Sequence, residues 1–335
     1  MRKILISVCM LLCLINLQAQ KQYITNQYVY DLFNLNPAAA AYHKNCTSFN
    51  GIFQKQWFGT DLAPTTQMFS FQTAVKGALG TGTYIYNDRN GNNRRIGIHQ
   101  AFSYELLLLK KKRKLMTLSF GLAFDGEQAS VSESDFTDGA VLDPAITGGN
   151  ETGWGFNAAT GFLLKYNDMH LGVSVDNLLP QNNPMFTSPL EPKLTPNFSI
   201  HMGGTFRISE RDLYLEPLLM YQRNTSVNSR MDINLKLYMP TPNPDFAVWG
   251  LTGYRHTMDE KFGKSLSIPI TMGIVFKNFS VGLEYKLGLT AAQYDYGSAY
   301  QLVVSYRICR DLKKRAIPCS ALHKNTKRNH RFLSF

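Results

Sequence analysis

Residues 114–125 read KLMTLSFGLAFD, and their side chains alternate between large apolar groups and small or polar ones. A period of two places successive side chains on opposite faces of a β-strand. The second face is too small and polar to form the core of a β-sandwich. The stretch therefore predicts a strand that is apolar on one side and wet on the other. The apolar face comprises Met116, Leu118, Phe120, Leu122 and Phe124, and the wet face comprises Thr117, Ser119, Gly121 and Ala123.

The same alternation recurs along the chain, and in several stretches the second face carries charges. It appears in MHLGVSVD at 169–176, in MDINLKLY at 231–238 and in FSVGLEYKLG at 279–288. Charges inside strands, beside a continuous apolar face, are typical of a transmembrane barrel with a wet lumen. On this pattern alone, a secreted β-sandwich or another water-soluble β protein stays open as the alternative.

Turn residues divide the chain into about 14 strands, an even number as in bacterial outer-membrane barrels. Short turns alternate with long loops, so the sequence predicts an all-β transmembrane antiparallel β-barrel with periplasmic N- and C-terminal segments. No stretch after the N-terminal segment is apolar for long enough to form a helical membrane span. The predicted strands lie near 46–57, 65–75, 78–87, 95–106, 115–124, 153–166, 169–177, 197–208, 212–222, 229–239, 245–256, 265–276, 279–288 and 298–308.

The two ends of the chain differ in composition from the middle. Arg2 and Lys3 precede an apolar run and Ala19, which indicates a signal peptide over 1–19. We expect an N-terminal periplasmic segment over 20–45, the barrel over 46–308 and a basic tail over 309–335. Most of the formal net charge of +11 lies in the signal peptide and the tail. The nearly neutral body argues against nucleic acid as a partner.

Aromatic residues cluster near the predicted strand ends. Membrane barrels concentrate aromatic side chains at both interfaces with water, so these residues are candidates for interfacial girdles. The candidates are Trp57, Phe58, Tyr84, Tyr86, Trp154, Tyr166, Trp249, Tyr254, Tyr285, Tyr300 and Tyr306.

The sequence contains no recognisable catalytic or metal-binding pattern. The seven histidines include no pair at i and i+4, and no Cys-x-x-Cys occurs. A Gly-x-Ser-x-Gly elbow and a phosphate-binding loop are both missing. We therefore expect no enzymatic activity, no cofactor and no metal. The basic run KKKRK at 110–114 is interpreted as a tight periplasmic turn close to anionic headgroups, not as a binding site.

Three cysteines lie beyond the predicted signal peptide: Cys46, Cys309 and Cys319. Export to an oxidising compartment favours a disulfide. Cys309 and Cys319 enclose a short loop and are expected on the same side of the membrane, so they are the predicted pair. Two free thiols are the alternative, and the state of Cys46 stays open.

Two stretches near the start carry distinctive motifs: QYVYDLFNLNPAAAAYHKN at 27–45 and FQKQWFGTDLAPTTQMFSFQTAV at 53–75. They resemble the opening of the PorP/SprF family of outer-membrane proteins, from the type IX secretion and gliding machinery of Bacteroidetes. Where this chain has AAAAYHKN, the family more often has Ala-Tyr-Ala-Gly. The matching motif residues include Asn36, Pro37, Gln56, Trp57, Pro64 and Gln67.

The end of the chain is also similar to this family, in which a Cys, a basic run and an Arg-Ala-Ile-x-Cys element follow the last strand. Arg315, Ala316 and Ile317 match that element, between Cys309 and Cys319. The resemblance spans about residues 22–320.

The resemblance implies a barrel in the cell outer membrane that receives, anchors or shuttles specific secreted proteins. These cargo proteins, often adhesins, carry a type B C-terminal sorting domain. The implied further partners are periplasmic and lipoprotein components of the secretion machinery, besides the outer-membrane lipid.

The alternative function is a passive outer-membrane channel or small-molecule transporter. The barrel pattern alone fits both functions. The charged side chains expected to line such a lumen are Glu105, Asp176, Asp232, Lys236, Glu284, Lys286 and Arg307.

Overall fold

The computed structural model describes residues 27–57, 62–111, 114–133, 149–179, 193–209, 213–224, 229–243, 245–258 and 263–309. This part of the chain forms one antiparallel sheet, three short 3-10 helices and one short α-helix. The 3-10 helices span Gln27–Val29, Leu32–Asn34 and Pro37–Ala39, and α1 spans Ala291–Tyr296. The strands are β1 Cys46–Gln56, β2 Thr65–Lys76, β3 Leu79–Asn90, β4 Asn93–Lys111, β5 Lys114–Ser132, β6 Asn150–Tyr166, β7 Met169–Asp176, β8 Asn197–Gly204, β9 Phe206–Ser209, β10 Leu213–Asn224, β11 Ser229–Pro240, β12 Phe246–Thr257, β13 Ser265–Phe276, β14 Phe279–Gly288 and β15 Ala299–Cys309.

The sheet closes on itself because β15 pairs with β1 along their whole length. β8 and β9 both pair with β10, so they are two parts of one strand interrupted at Thr205. The result is a closed antiparallel barrel of fourteen strands, as predicted. Among the described residues, no helix has the length and apolar character needed to cross a bilayer.

The two faces predicted for residues 114–125 are confirmed. Phe120 and Phe124 are exposed on the outside of the barrel, whereas Ser119, Gly121 and Ala123 are buried on the inside. The same division holds in β7, β11 and β14, where the charged side chains face inward. The barrel therefore has an apolar outer surface and a polar inner wall.

Most strand boundaries lie close to their predicted positions, but β4 and β5 are longer. The predicted long loop near residues 87–95 is instead a two-residue turn at Gly91 and Asn92. Gly91 has a positive φ of 61°, which glycine adopts without steric cost. This turn lets β3 and β4 continue beyond their predicted ends.

Some of the aromatic girdle candidates lie on the outer surface, as a girdle requires, and the prediction is wrong for others, which face the lumen. Trp154, Tyr166, Tyr254, Tyr285 and Tyr300 are exposed on the outer surface, and Phe58 lies outside the described residues. Tyr84, Tyr86 and Trp249 face the lumen instead. There Tyr84 stacks on His99 at 4.4 Å between ring centroids, and Trp249 Nε1 donates to Ser280 Oγ. The alternation along each strand places Tyr84, Tyr86 and Trp249 inward. It predicts the direction of these side chains better than their nearness to a strand end does.

The N-terminal segment differs from its prediction as a periplasmic segment over 20–45. Residues 27–45, called the plug below, lie inside the barrel, and residues 20–26 lie outside the described part. Tyr28, Leu32 and Phe33 of the plug are each 1% exposed, and Ala39 is fully buried. The local reason is composition, because 27–42 are largely apolar and have Asp31 as their one charge. Such a stretch gains free energy by leaving water.

The predicted Cys309–Cys319 disulfide is wrong, because Cys309 is bonded to Cys46. These two cysteines are direct partners in the register of β1 and β15, with 4.0 Å between their Cα atoms. Barrel closure brings them together across a sequence separation of 263 residues, which a preference for short loops could not anticipate. Cys319 lies outside the described residues.

We expect the double variant Cys46→Ser/Cys309→Ser to lose about 2–4 kcal/mol of unfolding free energy, because the crosslink closes a very long loop. The measurement is the temperature at which the folded barrel converts to the slower-migrating form on SDS gels. The control Cys319→Ser should match the parent. A non-reducing peptide map that joins Cys309 to Cys319 would contradict the pairing.

Candidate functional site

The plug backbone packs against glycines on the inner wall. Gly121, Gly161 and Gly172 lie in β5, β6 and β7, where any side chain would overlap atoms of the plug or its contacts. A Cβ atom at Gly121 would collide with the backbone of Pro37 and Ala38. These glycines, called the glycine patch below, allow the plug to approach the wall closely.

Asn36 fixes the turn that lies on the glycine patch. Its Oδ1 accepts a hydrogen bond from the amide of Ala38 at 2.9 Å, which caps the third 3-10 helix. Its Nδ2 donates to the carbonyl of Phe162 at 3.0 Å and lies 3.2 Å from Nε2 of His201. Pro37 follows at the first helical position, where its fixed φ suits the helix. The Asn-Pro pair thus joins the plug to three strands.

Asp31 joins the plug to β1 and β2. Its carboxylate accepts hydrogen bonds from Asn50 at 2.8 Å, Ser70 at 3.0 Å and Gln72 at 2.7 Å. It also accepts from the amide of Phe33 at 3.1 Å, capping the second 3-10 helix. Burial raises the pKa of Asp31, and the hydrogen bonds from Gln72, Phe33 and Ser70 oppose that rise.

Two tyrosines join the plug to a further part of the wall, in β11, β13 and β14. Tyr28 Oη donates to Asp232 at 2.6 Å and accepts from Asn234 at 3.1 Å. Tyr30 Oη donates to Glu284 at 2.5 Å and lies 2.8 Å from Thr271 Oγ1. Burial and the neighbouring carboxylates raise the pKa of both tyrosines well above the usual range. Both hydroxyls therefore remain protonated donors near neutral pH.

Several charged wall residues form ion pairs with one another. Arg230 forms an ion pair with Asp232, and Arg255 lies 3.7 Å from the same carboxylate. Lys236 pairs with Glu216 at 3.1 Å, and Lys165 pairs with Glu105. Such pairing offsets the cost of burying ionised groups. The structure places all the charged residues predicted for the lumen on the inner side: Glu105, Asp176, Asp232, Lys236, Glu284, Lys286 and Arg307.

Lumenal side chains also bind the plug backbone. Ser174 donates to the carbonyl of Leu35 at 2.7 Å, and Ser103 donates to that of Ala40 at 2.6 Å. The amide of Ala41 donates to Gln72 at 3.1 Å. An irregular segment buried in this way needs partners for its polar groups, and the wall supplies them. Among the described residues, no group of three or more His, Cys, Asp or Glu side chains is arranged to hold a metal ion.

Comparison with known proteins identifies the family to which this chain belongs. A family model described as "Type IX secretion system membrane protein PorP/SprF" matches residues 17–306. The chain belongs to the PorP/SprF family. It is therefore a type IX secretion component, and the closed barrel with its apolar outer surface places it in the outer membrane. A comparison with curated protein sequences finds no match.

Solved outer-membrane barrels resemble this PorP/SprF chain at low sequence identity. The CymD monoaromatic hydrocarbon channel is 10% identical, with 86% of this chain and 93% of that chain covered and a TM-score of 0.48. The Pseudomonas putida toluene transporter TodX is 12% identical, with coverages of 86% and 95% and a TM-score of 0.43. A Pseudomonas aeruginosa FadL homologue is 8% identical, with coverages of 81% and 91% and a TM-score of 0.42. Scores this low carry no conclusion about function.

The PorP/SprF motif residues occupy two separate places. Asn36 and Pro37 lie in the plug, whereas the other four lie at the barrel end opposite Cys46 and Cys309. There the amide of Gln56 donates to the carbonyl of Pro64 at 2.9 Å, and the amide of Trp57 donates to that of Ser298 at 3.1 Å. Gln67 is exposed on the outer surface and accepts from Asn87 at 3.1 Å. Arg315, Ala316 and Ile317 lie outside the described residues.

Sequence reasoning missed the plug and the wall that receives it. Two signals pointed to it. One is the apolar, alanine-rich composition of residues 27–42, which is unusual for a water-exposed segment. The other is the recurrence of Gly121, Gly161 and Gly172 on the inward faces of three neighbouring strands. Glycine inside strands marks a close backbone approach.

We expect Gly121→Ala to displace the plug, because the new methyl group would overlap the backbone of Pro37 and Ala38. The cost should be about 1–3 kcal/mol, as for other overpacked cores. Limited proteolysis should then cleave within residues 27–45 faster than in the parent. The matched control is Gly51→Ala, whose Cβ would lie 3.9 Å from its nearest neighbour. Equal protection of the plug in both variants would contradict the assigned contact.

Proposed function

We propose that this barrel binds a specific secreted protein at the cell surface and anchors it or passes it on. The cargo would carry a type B C-terminal sorting domain, as adhesins of this secretion route do. The role is non-enzymatic. Membership of the PorP/SprF family supports a place in the secretion machinery. The single observation that favours protein binding over passage of solutes is the plug inside the lumen.

The plug contacts the wall on every side of the lumen. Asp31 is held by β1 and β2, Asn36 lies against β6 to β8, and Tyr28 and Tyr30 reach β11, β13 and β14. A passive channel needs a continuous wet path, and these buried residues occupy the space where it would run. Recognition by the rim and its loops requires no such path.

The rim opposite the termini offers a built surface for cargo. The β1–β2 loop and the β14–β15 loop are joined there by the hydrogen bond from Trp57 to Ser298. α1 belongs to the second loop and presents Tyr294 with 90% of its surface exposed. Trp154 and Phe156, each 66% exposed, lie on the outer face of β6 towards the same rim. Exposed aromatic side chains are common anchors of protein interfaces.

The predicted periplasmic termini would direct this rim to the cell exterior. The other end would then face the periplasm and the lipoprotein components of the machinery. The basic tail over 309–335 follows Cys309 at that end and is proposed to dock there.

The test of cargo binding compares the surface and secreted proteomes of a deletion strain and its parent, with outer-membrane integrity measured in parallel. We expect the loss of one or a few proteins that carry the sorting domain. Complementation with Tyr294→Ala should restore the barrel but recover less cargo at the surface than the parent gene does. The control is Tyr285→Phe, a change on the outer surface of β14. An unchanged proteome in a strain without paralogues would contradict the proposal.

The channel alternative has its own measurement, which is conductance in planar bilayers. We expect the parent barrel to conduct little, because the plug is bound to the wall on several sides of the lumen. Gly121→Ala should open more often than Gly51→Ala, since the first change displaces the plug and the second does not. High conductance of the parent protein would favour the channel or transporter function over cargo binding.

A further inference from the structure

A β-bulge decides which lysines of the β4–β5 hairpin face the lipid. Leu107 pairs with Thr117 and Leu109 pairs with Met116, so Leu108 has no partner in the register. Residues directly opposite each other in an antiparallel pair share a face. Thr117 is buried on the inner side, and Met116 therefore belongs to the outer side. The extra residue turns Leu109 outward.

The same register places two lysines together at the end of this outer face. Lys111 lies directly opposite Lys114, whereas Lys110 lies opposite Leu115 on the other face. Lys111 and Lys114 are both exposed. Without the bulge, Lys110 instead of Lys111 would lie opposite Lys114 on the outer face.

An apolar column leads from this lysine pair into the membrane. Its successive cross-strand pairs are Leu109 with Met116, Leu106 with Leu118, and Tyr104 with Phe120. Leu106 and Tyr104 are about half exposed, and their register places them on the outer face, which in a membrane barrel contacts lipid chains. Lys111 and Lys114 therefore follow this column at the end of the hairpin, on the side of the barrel where the chain termini lie.

Two like charges directly opposite each other on a sheet repel and destabilise the pair. In the part of the chain that the structure describes, no acidic side chain forms an ion pair with Lys111 or Lys114. A counter-charge at this position would remove the repulsion. Lysine side chains at a membrane-water boundary extend their ammonium groups to the headgroup level.

The sequence predicts no binding site in KKKRK, but the register brings two of its lysines together on the outer face. We propose that Lys111 and Lys114 bind the phosphate group of an anionic phospholipid, whose acyl chains lie along the apolar column. The column distinguishes this ligand from free phosphate, which has no apolar part to bury. The rim on this side carries another lysine, Lys277, which lies 5.3 Å from the ring centroid of the exposed Phe276. A basic rim is attracted to an anionic leaflet.

The test titrates the purified full-length barrel in detergent with phosphatidylglycerol or phosphatidylcholine and counts bound lipids by native mass spectrometry. The parent should bind phosphatidylglycerol preferentially. Lys111→Gln/Lys114→Gln should weaken that binding by about 30-fold, as expected for two lysines near an anionic surface. Lys110→Gln removes a charge from the other face of the same hairpin and should keep most of the affinity.

Three outcomes would overturn the proposal. One is parental lipid binding by the double variant, and another is an equal loss in Lys110→Gln, which would indicate a diffuse charge effect. The third is full displacement of phosphatidylglycerol by inorganic phosphate or by an acidic peptide, which would show that the apolar column contributes nothing. Unchanged heat-modifiable migration of each variant on SDS gels establishes that the barrel is folded in every arm.

Discussion

A ring of fourteen strands encloses more space than the side chains of its own wall can fill, and this constraint governs the rest of the structure. Barrels of about eight strands are filled by their inward side chains, and larger ones enclose a cavity or channel. Many inward side chains here are serine, alanine or glycine, which widens the lumen further. The plug lies within that space, where Asn36, Pro37 and Ala38 approach the glycine patch and Ala40 and Ala41 approach Gly80.

Filling the lumen with chain creates a second requirement, because an irregular segment carries polar groups that lose water. Ser103 and Ser174 of the wall donate hydrogen bonds to plug carbonyls. Asp232 and Glu284 accept hydrogen bonds from the tyrosine hydroxyls of the plug. Asp232 and Glu284 are costly to bury as carboxylates, and each gains a charged or hydroxyl donor. The plug and the wall therefore satisfy each other, and removing either partner would leave buried polar groups unpaired.

The sequence was sufficient for features that depend on local alternation and insufficient for those that depend on distant contacts. The strands and their two faces follow from the period-two alternation of side chains. About ten residues within one strand are enough to show that alternation. The disulfide depends on closure between β1 and β15, which only the whole ring determines. The plug depends on contacts such as Tyr28 with Asp232, separated by 204 residues. Tyr84, Tyr86 and Trp249 were misplaced because position along a strand was given more weight than the alternation.

The closing seam connects the plug and the rim. β1 begins at Cys46, directly after the plug, and ends at Gln56, where the rim loop starts. Its partner β15 begins beside the loop that carries α1 and ends at Cys309. In a barrel that anchors a protein at its rim, force on these loops acts along the two strands whose pairing joins the chain's distant ends. The disulfide lies at the far end of this same pair. The Cys46–Cys309 bond therefore keeps β1 and β15 joined at the end of the seam opposite the rim, whatever acts on the rim loops and even if hydrogen bonds between the two strands break.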